Sequence, residues 1–150
     1  VVESAVTHVD AIGNTLSGTA VQGGALSLGL GSPVLVHSSN VSLNTVIADT
    51  VVGAAVATVD EASATWRHNN VFANAGGAAF AGFVPEPSGL DGNLVESPVH
   101  TDITSADPTQ WDLTLTNPSA LIDAGDPKET DPDGSPSDIG AYGGPFGDGW

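Results

Sequence analysis

The stretch VTHVDAIGN at residues 6–14, followed by GTAV at residues 18–21, decides how the chain folds because it recurs twice in degenerate form. The other two copies are LVHSSNVSLN (35–44) with GAAV (53–56), and WRHNNVFAN (66–74) with GAAF (77–80). The copies share a His, an Asn six or seven residues later, and a Gly-small-Ala-apolar segment beyond it. Degenerate repeats at irregular spacing are typical of a solenoid whose loops vary in length.

The repeats indicate strands rather than helices. Short runs of Val, Ala, Leu and Thr are separated by Gly, Asn, Ser and Asp, and 19 glycines and 10 prolines leave little helical periodicity. Parallel strands of successive repeats would stack Val on Val and Ala on Ala, with Asn at the tight corners. A β-sandwich is the competing all-β fold, although the hairpin dipeptides that it needs are scarce.

The charge balance excludes several kinds of partner. Two Lys or Arg stand against 18 Asp or Glu, which gives a formal net charge of −16. Phosphate groups are bound by several cations, so we expect no nucleic-acid partner and no anionic membrane surface. No apolar run is long enough for a membrane-spanning helix, so no membrane insertion is expected. Cys is absent, which excludes disulfides, zinc–thiolate sites and a thiol nucleophile.

The C-terminal part carries a family resemblance. The stretch Asn117–Pro127 resembles a P-[SG]-S-P-A-I-D-A-G-D-P element, and Asp131–Pro145 resembles its companion, D-P-D-G-[ST]-x-x-D-[IM]-G-A-Y-G-G. Together they look like the C-terminal end of secreted bacterial right-handed parallel β-helix proteins of the pectin-lyase-like superfamily. The resemblance implies this fold and an extracellular or cell-surface location. It implies no single activity, because lyases, hydrolases, adhesins and surface proteins share the fold.

We therefore expect an all-β, right-handed parallel β-helix (a solenoid) of about three turns over residues 1–122, with an irregular Asp/Gly/Pro-rich cap over residues 123–150. The cap would cover the last open turn. No Met is present, even at position 1, so we expect a processed product or a fragment, from which any export signal has been removed or outside which it lies. The apolar residues Val1, Val2 and Val6 would then lie at an open end, which is a template for self-association or for the upstream part of a longer β-helix.

The acidic tail is the leading candidate for a binding site. Asp131, Asp133 and Asp138 surround a Gly turn, and Asp123 and Asp126 lie just upstream. Alternate Asp residues in a Gly-containing loop can converge on Ca²⁺, which takes six to eight oxygen ligands. The alternative is a solvated cap whose Asp side chains bond to backbone N–H groups.

Catalysis is not expected from this sequence. A column of His8, His37 and His68 would not converge on one point as a metal site requires, so we expect a ladder of imidazoles bonded to backbone. Lyases of the resembling fold use an Arg or Lys base beside acidic calcium ligands, and only Arg67 and Lys128 are available. Inverting hydrolases need carboxylates that face one cleft, and the repeats carry few. We assign no catalytic residues.

The sequence thus predicts a non-catalytic extracellular structural protein, a scaffold, surface or fibre element that self-associates through its open end. Two alternatives stay open. A carbohydrate-binding or adhesive module would hold a polysaccharide on exposed aromatic residues, for which Trp66 and Trp111 are the candidates. The chain would otherwise be the non-catalytic C-terminal end of a polysaccharide lyase or hydrolase.

Overall fold

The computed structural model describes residues 4–29, 33–58, 64–82 and 89–147, which form short strands joined by turns. One 3-10 helix, Pro108–Gln110, is the single helical element of this described part. In chain order the strands are β1 (Ser4–Thr7), β2 (Asp10–Ile12), β3 (Thr15–Gln22), β4 (Leu26–Leu28), β5 (Val34–His37), β6 (Asn40–Ser42), β7 (Thr45–Val52), β8 (Val56–Thr58), β9 (Ala64–Arg67), β10 (Asn70–Phe72), β11 (Phe80–Ala81), β12 (His100–Asp102) and β13 (Asp112–Leu115). The all-β class is therefore confirmed.

Strands that lie 30 residues apart pair side by side in parallel. Ser4 pairs with Val34, and Val34 pairs with Ala64. Parallel pairing builds three sheets with the strand orders β1-β5-β9, β2-β6-β10 and β4-β8-β11, and β3 pairs with β7; the β8–β11 pair alone has a different offset, of 24 residues. We call residues 4–29 repeat 1, residues 33–58 repeat 2 and residues 64–82 repeat 3. Parallel pairing between successive repeats, expected from the sequence, is confirmed.

The register corrects the alignment of the histidines. His37 pairs with Thr7 in the neighbouring strand, so it is not equivalent to His8. His8, Ser38 and His68 instead share one position, the corner between the first two sheets, with left-handed φ values of 52°, 53° and 50°. The expected column of three histidines is wrong. The left-handed backbone conformation recurs at this corner in every repeat, but the residue type does not.

Asn14, Asn44 and Asn74 form a ladder that ties the repeats together at another corner. The Oδ1 of Asn44 accepts bonds from the backbone N–H and the side-chain amide of Asn14, at 3.0 and 2.9 Å. Asn74 accepts the same two bonds from Asn44, at 3.0 and 2.8 Å. Asn44 is fully buried, and its amide also donates to the carbonyl of Ala11. Because an unpaired buried amide is costly, the ladder fixes the register.

Repeat 3 is shorter than the others because it has no counterpart of most of β7. Ala75 bridges Thr45, an offset of 30 residues, whereas Phe80 pairs with Val56, an offset of 24. A two-glycine segment crosses this gap, and a Cβ on its first residue, Gly76 (φ 111°), would overlap a backbone carbonyl oxygen. The middle of β7 consequently has no third strand beside it within the described residues.

Small and β-branched side chains form a thin core inside the repeats. The central buried cluster consists of Val36, Val41, Ala55, Val56, Trp66 and Val71. Trp66 meets the ring of Phe80 edge-on, with the ring centroids 5.5 Å apart. Such a core fits the sequence, in which aromatic residues are 5% and most apolar residues are aliphatic.

The chain beyond repeat 3 folds back along the repeats. Residues 89–97 lie beside repeat 3, where Leu94 bridges Asn70. Strands β12 and β13 then form an antiparallel pair. The segment 121–147, which we call the C-terminal strap, consists mainly of turns and places Leu121 and Ile139 in fully buried positions.

The central position of the ladder should be the sensitive one. Asn44→Ala removes the acceptor for Asn14 and the side-chain donor to Asn74 and Ala11, and it empties a fully buried position, so we expect a loss of about 3 kcal/mol in the free energy of unfolding. Asn14→Ala is the matched control, because Asn14 is exposed at the end of the ladder, and it should cost about 1 kcal/mol. Denaturant unfolding measures both losses, and equal losses would contradict the ladder as the source of register.

Candidate functional site

The C-terminal strap lies along the corner between the first two sheets and contacts all three repeats. The Ala141 N–H donates to Asp10 Oδ2 of repeat 1 at 2.9 Å, and the Asp126 N–H donates to Ser38 Oγ of repeat 2 at 3.0 Å. The Asp126 carboxylate pairs with Arg67 of repeat 3 at 2.9 Å. The strap thus covers the side of the repeats, which corrects the expectation that it covers the last open turn.

Two glycines allow the chain to pack directly on the corner histidines. A Cβ on Gly144 of the strap would lie 2.5 Å from the imidazole of His8. Gly92 meets the imidazole of His68 in the same way. Both glycines have a φ of 76°, so each position requires a residue without a side chain that also tolerates left-handed backbone. At equivalent corners of repeats 1 and 3, the imidazole therefore packs against a glycine from a later part of the chain.

A cluster of titratable groups lies at the centre of the strap contact. The Nε2 of His8 is 3.4 Å from Glu129 Oε2 and 3.1 Å from Ser137 Oγ. The Nδ1 of His37 is 3.7 Å from the same Glu129 oxygen, which is buried and has no hydrogen-bond partner. Burial lowers the pKa of His8, the Glu129 carboxylate raises it, and His37 adds to the lowering.

A second polar cluster joins repeats 1 and 2 to strand β12. Asp10 Oδ1 accepts a bond from the amide of Asn40 at 2.7 Å, and Asn40 Oδ1 accepts one from Asn70 at 2.9 Å. His100 lies 3.9 Å from Asp10 and donates its Nδ1–H to the carbonyl of Leu113 at 2.9 Å. Because a carboxylate donates no hydrogen bond, Asp10 ends this ladder and accepts the strap instead.

The Ser137–His8–Glu129 group is not arranged for nucleophilic catalysis. A nucleophile is activated when it bonds one imidazole nitrogen while an acid orients the other. Here Ser137 and Glu129 both face Nε2 of His8, and Ser137 is 1% exposed. These side chains hold the strap on the repeats.

Sequence reasoning singled out His8 and His37 but assigned none of their partners in these two clusters. Asp10, Glu129 and Ser137 carry no local motif, and they meet only because the strap folds back over 120 residues of chain. One available signal was compositional: the chain's single Arg and most of its histidines lie in the repeats, and most carboxylates lie after residue 85. The structure uses one attraction of this kind, the ion pair between Arg67 of the repeats and Asp126 of the strap.

Four of the five predicted calcium ligands line one cleft. Asp123, Asp131, Asp133 and Asp138 share it with Thr114 and Tyr142. Asp126 does not belong to this group, because its carboxylate pairs with Arg67 on the other side of the strap. No three metal-binding side chains of the described residues are arranged to hold an ion, so calcium binding stays a prediction that would require the cleft carboxylates to turn inward.

The cleft carboxylates differ in their titration. Burial raises the pKa of Asp138 and of Asp131, and neighbouring carboxylates add to the rise in both. Bonds from the hydroxyl and the N–H of Ser135 lower the pKa of the exposed Asp133. The negative charges at the buried end of the cleft are therefore unfavourable in the folded state.

Neutralising Asp138 should stabilise the protein at neutral pH. Its raised pKa means that the folded state disfavours the ionised form, so the cost is present at pH 7 and disappears as the pH falls below that pKa. We expect Asp138→Asn to raise the Tm by about 2 °C at pH 7 and by less at about pH 3. Asp102→Asn is the control with the opposite sign, because bonds from Thr104 lower the pKa of Asp102. Thermal unfolding of the parent chain and of both variants at the two pH values measures these changes in Tm. An equal change for Asp138→Asn at both pH values would contradict the prediction.

Calcium in the cleft would stabilise the folded state by linkage. If the carboxylates take up Ca²⁺, millimolar calcium should raise the Tm above its value in chelator, and Asp133→Asn should weaken the response. Asp102→Asn should leave it unchanged, because Asp102 makes the same local bonds to the residue two positions on but lies outside the cleft. Identical melting curves in calcium and in chelator would contradict calcium binding, and the cleft would then be a solvated acidic surface.

Both candidate tryptophans make contacts within the chain. Trp66 is 6% exposed and belongs to the core, so little of its indole is available to a sugar. The indole Nε1–H of Trp111 donates to the carbonyl of Ser105 at 2.7 Å. Its ring packs on Gly13, where a Cβ would overlap the indole.

The predicted association site lies at the outer edge of repeat 1. Val6 pairs with Val36 in the neighbouring strand and packs, partly buried, against the core. Val1 and Val2 lie outside the described residues. Strands β1, β2, β3 and β4 of this repeat are each the outer strand of their sheet.

Comparison with known proteins gives no matching family model, no matching curated protein and no matching solved structure. Within the described residues, no helix has the length and apolar character needed to cross a membrane.

Proposed function

We propose that the chain is a right-handed parallel β-helix module of an extracellular or cell-surface structural protein. The 30-residue register supports the coil, because strands of successive repeats stack in the same order. We assign the coil a right-handed sense because connections between parallel strands are strongly biased towards right-handed crossovers. The resemblance of Asn117–Pro127 and Asp131–Pro145 to secreted β-helix proteins supports the exported location.

The use made of the polar side chains favours a scaffold over an enzyme or a sugar binder. Asp10 and Ser137 are both occupied in holding the strap. A general acid or base needs access to a substrate, and both groups are enclosed where the strap meets the repeats. Trp66 is in the core and the ring of Trp111 packs against Gly13 of repeat 1, which supports a structural role for both side chains.

The observation that carries the proposal is the open end of repeat 1. The outer edges of β1, β2, β3 and β4 all lie at this end, and no described strand pairs with them. Leu26 of β4 is partly exposed there, whereas its partner Val56 in repeat 2 is fully buried. Unpaired strand edges around an apolar interior are a template for further strands.

The strands that cover this end belong to a second copy of the chain or to upstream turns of a longer β-helix. Two copies would meet by like ends and form a closed dimer, or would dock end to tail and form an open filament. The net charge of −16 opposes both arrangements. Salt screens this repulsion, so self-association should strengthen with ionic strength.

A charge placed at the open end should weaken association. We expect Val6→Asp to lower the association constant, because the new carboxylate would be desolvated between two ends. Ile47→Asp is the matched control. Ile47 is 62% exposed on β7 of repeat 2, so this substitution adds the same charge away from the open end. Light scattering between about 0.05 and 0.5 M NaCl gives the mass of each variant, and circular dichroism checks the fold.

Two results would contradict this form of the proposal. If the parent chain stays monomeric at every salt concentration, a second copy does not cover the open end. Upstream turns of a longer β-helix would then cover it, as in the C-terminal end of a polysaccharide-degrading enzyme. An equal loss of association in Ile47→Asp would assign the effect to net charge rather than to the open end.

A further inference from the structure

The strap is held on the repeats by individual hydrogen bonds and ion pairs rather than by strand pairing. Its one β-bridge in the described structure, Thr130 to Pro136, is internal. Its bonds to the repeats go to the side chains of Asp10, Ser38 and Arg67, and the Gly140 N–H donates to the backbone carbonyl of Ser38 at 2.9 Å. The strap is therefore able to detach without breaking any of the parallel sheets.

Titratable groups lie in the middle of this contact. The buried Oε2 of Glu129 has no hydrogen-bond partner and lies 3.4 Å from His8 and 3.7 Å from His37. The two imidazole rings are 5.9 Å apart. The other charged groups that face His8 are the strap carboxylates of Asp126 and Asp131.

We propose that this cluster makes the strap an acid-sensitive latch, which is docked while His8 is neutral and detaches when His8 takes up a proton. A positive charge on His8 would be buried beneath Gly144, next to His37. The Glu129 carboxylate offsets part of the free-energy cost of burying this charge. The Asp126 carboxylate offsets little of it, because it is already paired with Arg67.

The direction of the pH dependence follows from the environment of His8. Burial lowers the pKa of His8 below its ordinary value of 6.5, against the opposing effect of Glu129. Detachment returns the imidazole to water and restores its ordinary pKa. Above that value His8 is neutral in both states and docking has its full strength. As the pH falls below it, the detached state binds the proton more tightly, and docking weakens.

Trypsin gives a direct readout of detachment because the chain contains only two Lys or Arg residues. The exposed Lys128 lies in the strap, and Arg67 lies in β9 within a parallel sheet. Cleavage after Lys128 reports the strap, and cleavage after Arg67 reports unfolding of the repeats. At each pH, the rate after Lys128 is divided by the rate for a synthetic peptide of residues 120–136 with the matching sequence, which removes the enzyme's own pH dependence.

The parent chain should show a severalfold rise in this normalised rate between about pH 7.5 and pH 5.5, with Arg67 uncut. His8→Gln should abolish the rise, because the amide does not titrate. His68→Gln, at the equivalent corner of repeat 3 under Gly92, should keep it. Glu129→Gln should move detachment to higher pH, because it removes the charge that favours protonated His8.

The opposite responses of His8→Gln and Glu129→Gln keep the proposal testable if either variant folds poorly. A flat pH profile of the parent chain would overturn the latch. So would an undiminished rise in His8→Gln, or a parallel rise in cleavage after Arg67, which would mean that the repeats unfold together with the strap.

Discussion

The requirement to satisfy buried amides at the corners is the constraint on which the rest of the structure depends. Each ladder Asn uses the backbone N–H and the amide of the preceding repeat, so its position fixes the register of every strand that follows. The shortening of repeat 3 is consistent with this constraint. The six missing residues fall after Asn74, where no ladder runs, and the register up to Ala75 is kept.

The second organising feature is the distribution of charge. The chain has two Lys or Arg residues, and Arg67 and the titratable His8 and His37 all lie where the strap brings carboxylates to the repeats. Elsewhere the acidic side chains are satisfied locally. Three exposed aspartates accept bonds from the hydroxyl and the N–H of the Thr two residues further on, which lowers their pKa: Asp102, Asp107 and Asp112. In the described part of this strongly acidic chain, one ion pair joins an Arg to a carboxylate, Arg67 to Asp126, and local hydrogen bonds satisfy many of the other carboxylates.

Stability and function follow from different parts of this arrangement. Repeat 2 is enclosed by its neighbours and contains most of the fully buried residues, whereas repeat 1 leaves its strand edges and part of its interior open. The strap adds a polar contact along the side and leaves that end uncovered. A scaffold that extends by adding strands needs this combination of a closed side and an open end.

The sequence by itself determined the all-β class, the repeated strands and the role of Asn at the corners, because these depend on local preferences and on a pattern that recurs along the chain. It also indicated which carboxylates would meet, and four of the five lie in one cleft. The tertiary structure alone decided the 30-residue register, which pairs Gly18 with Ala48 rather than placing it beside Gly53. It alone decided where the strap lies, and hence the contacts of Asp10, Glu129 and Ser137. These contacts join residues more than 90 positions apart, and the burial that gives them their energy exists only once the strap has packed on the repeats.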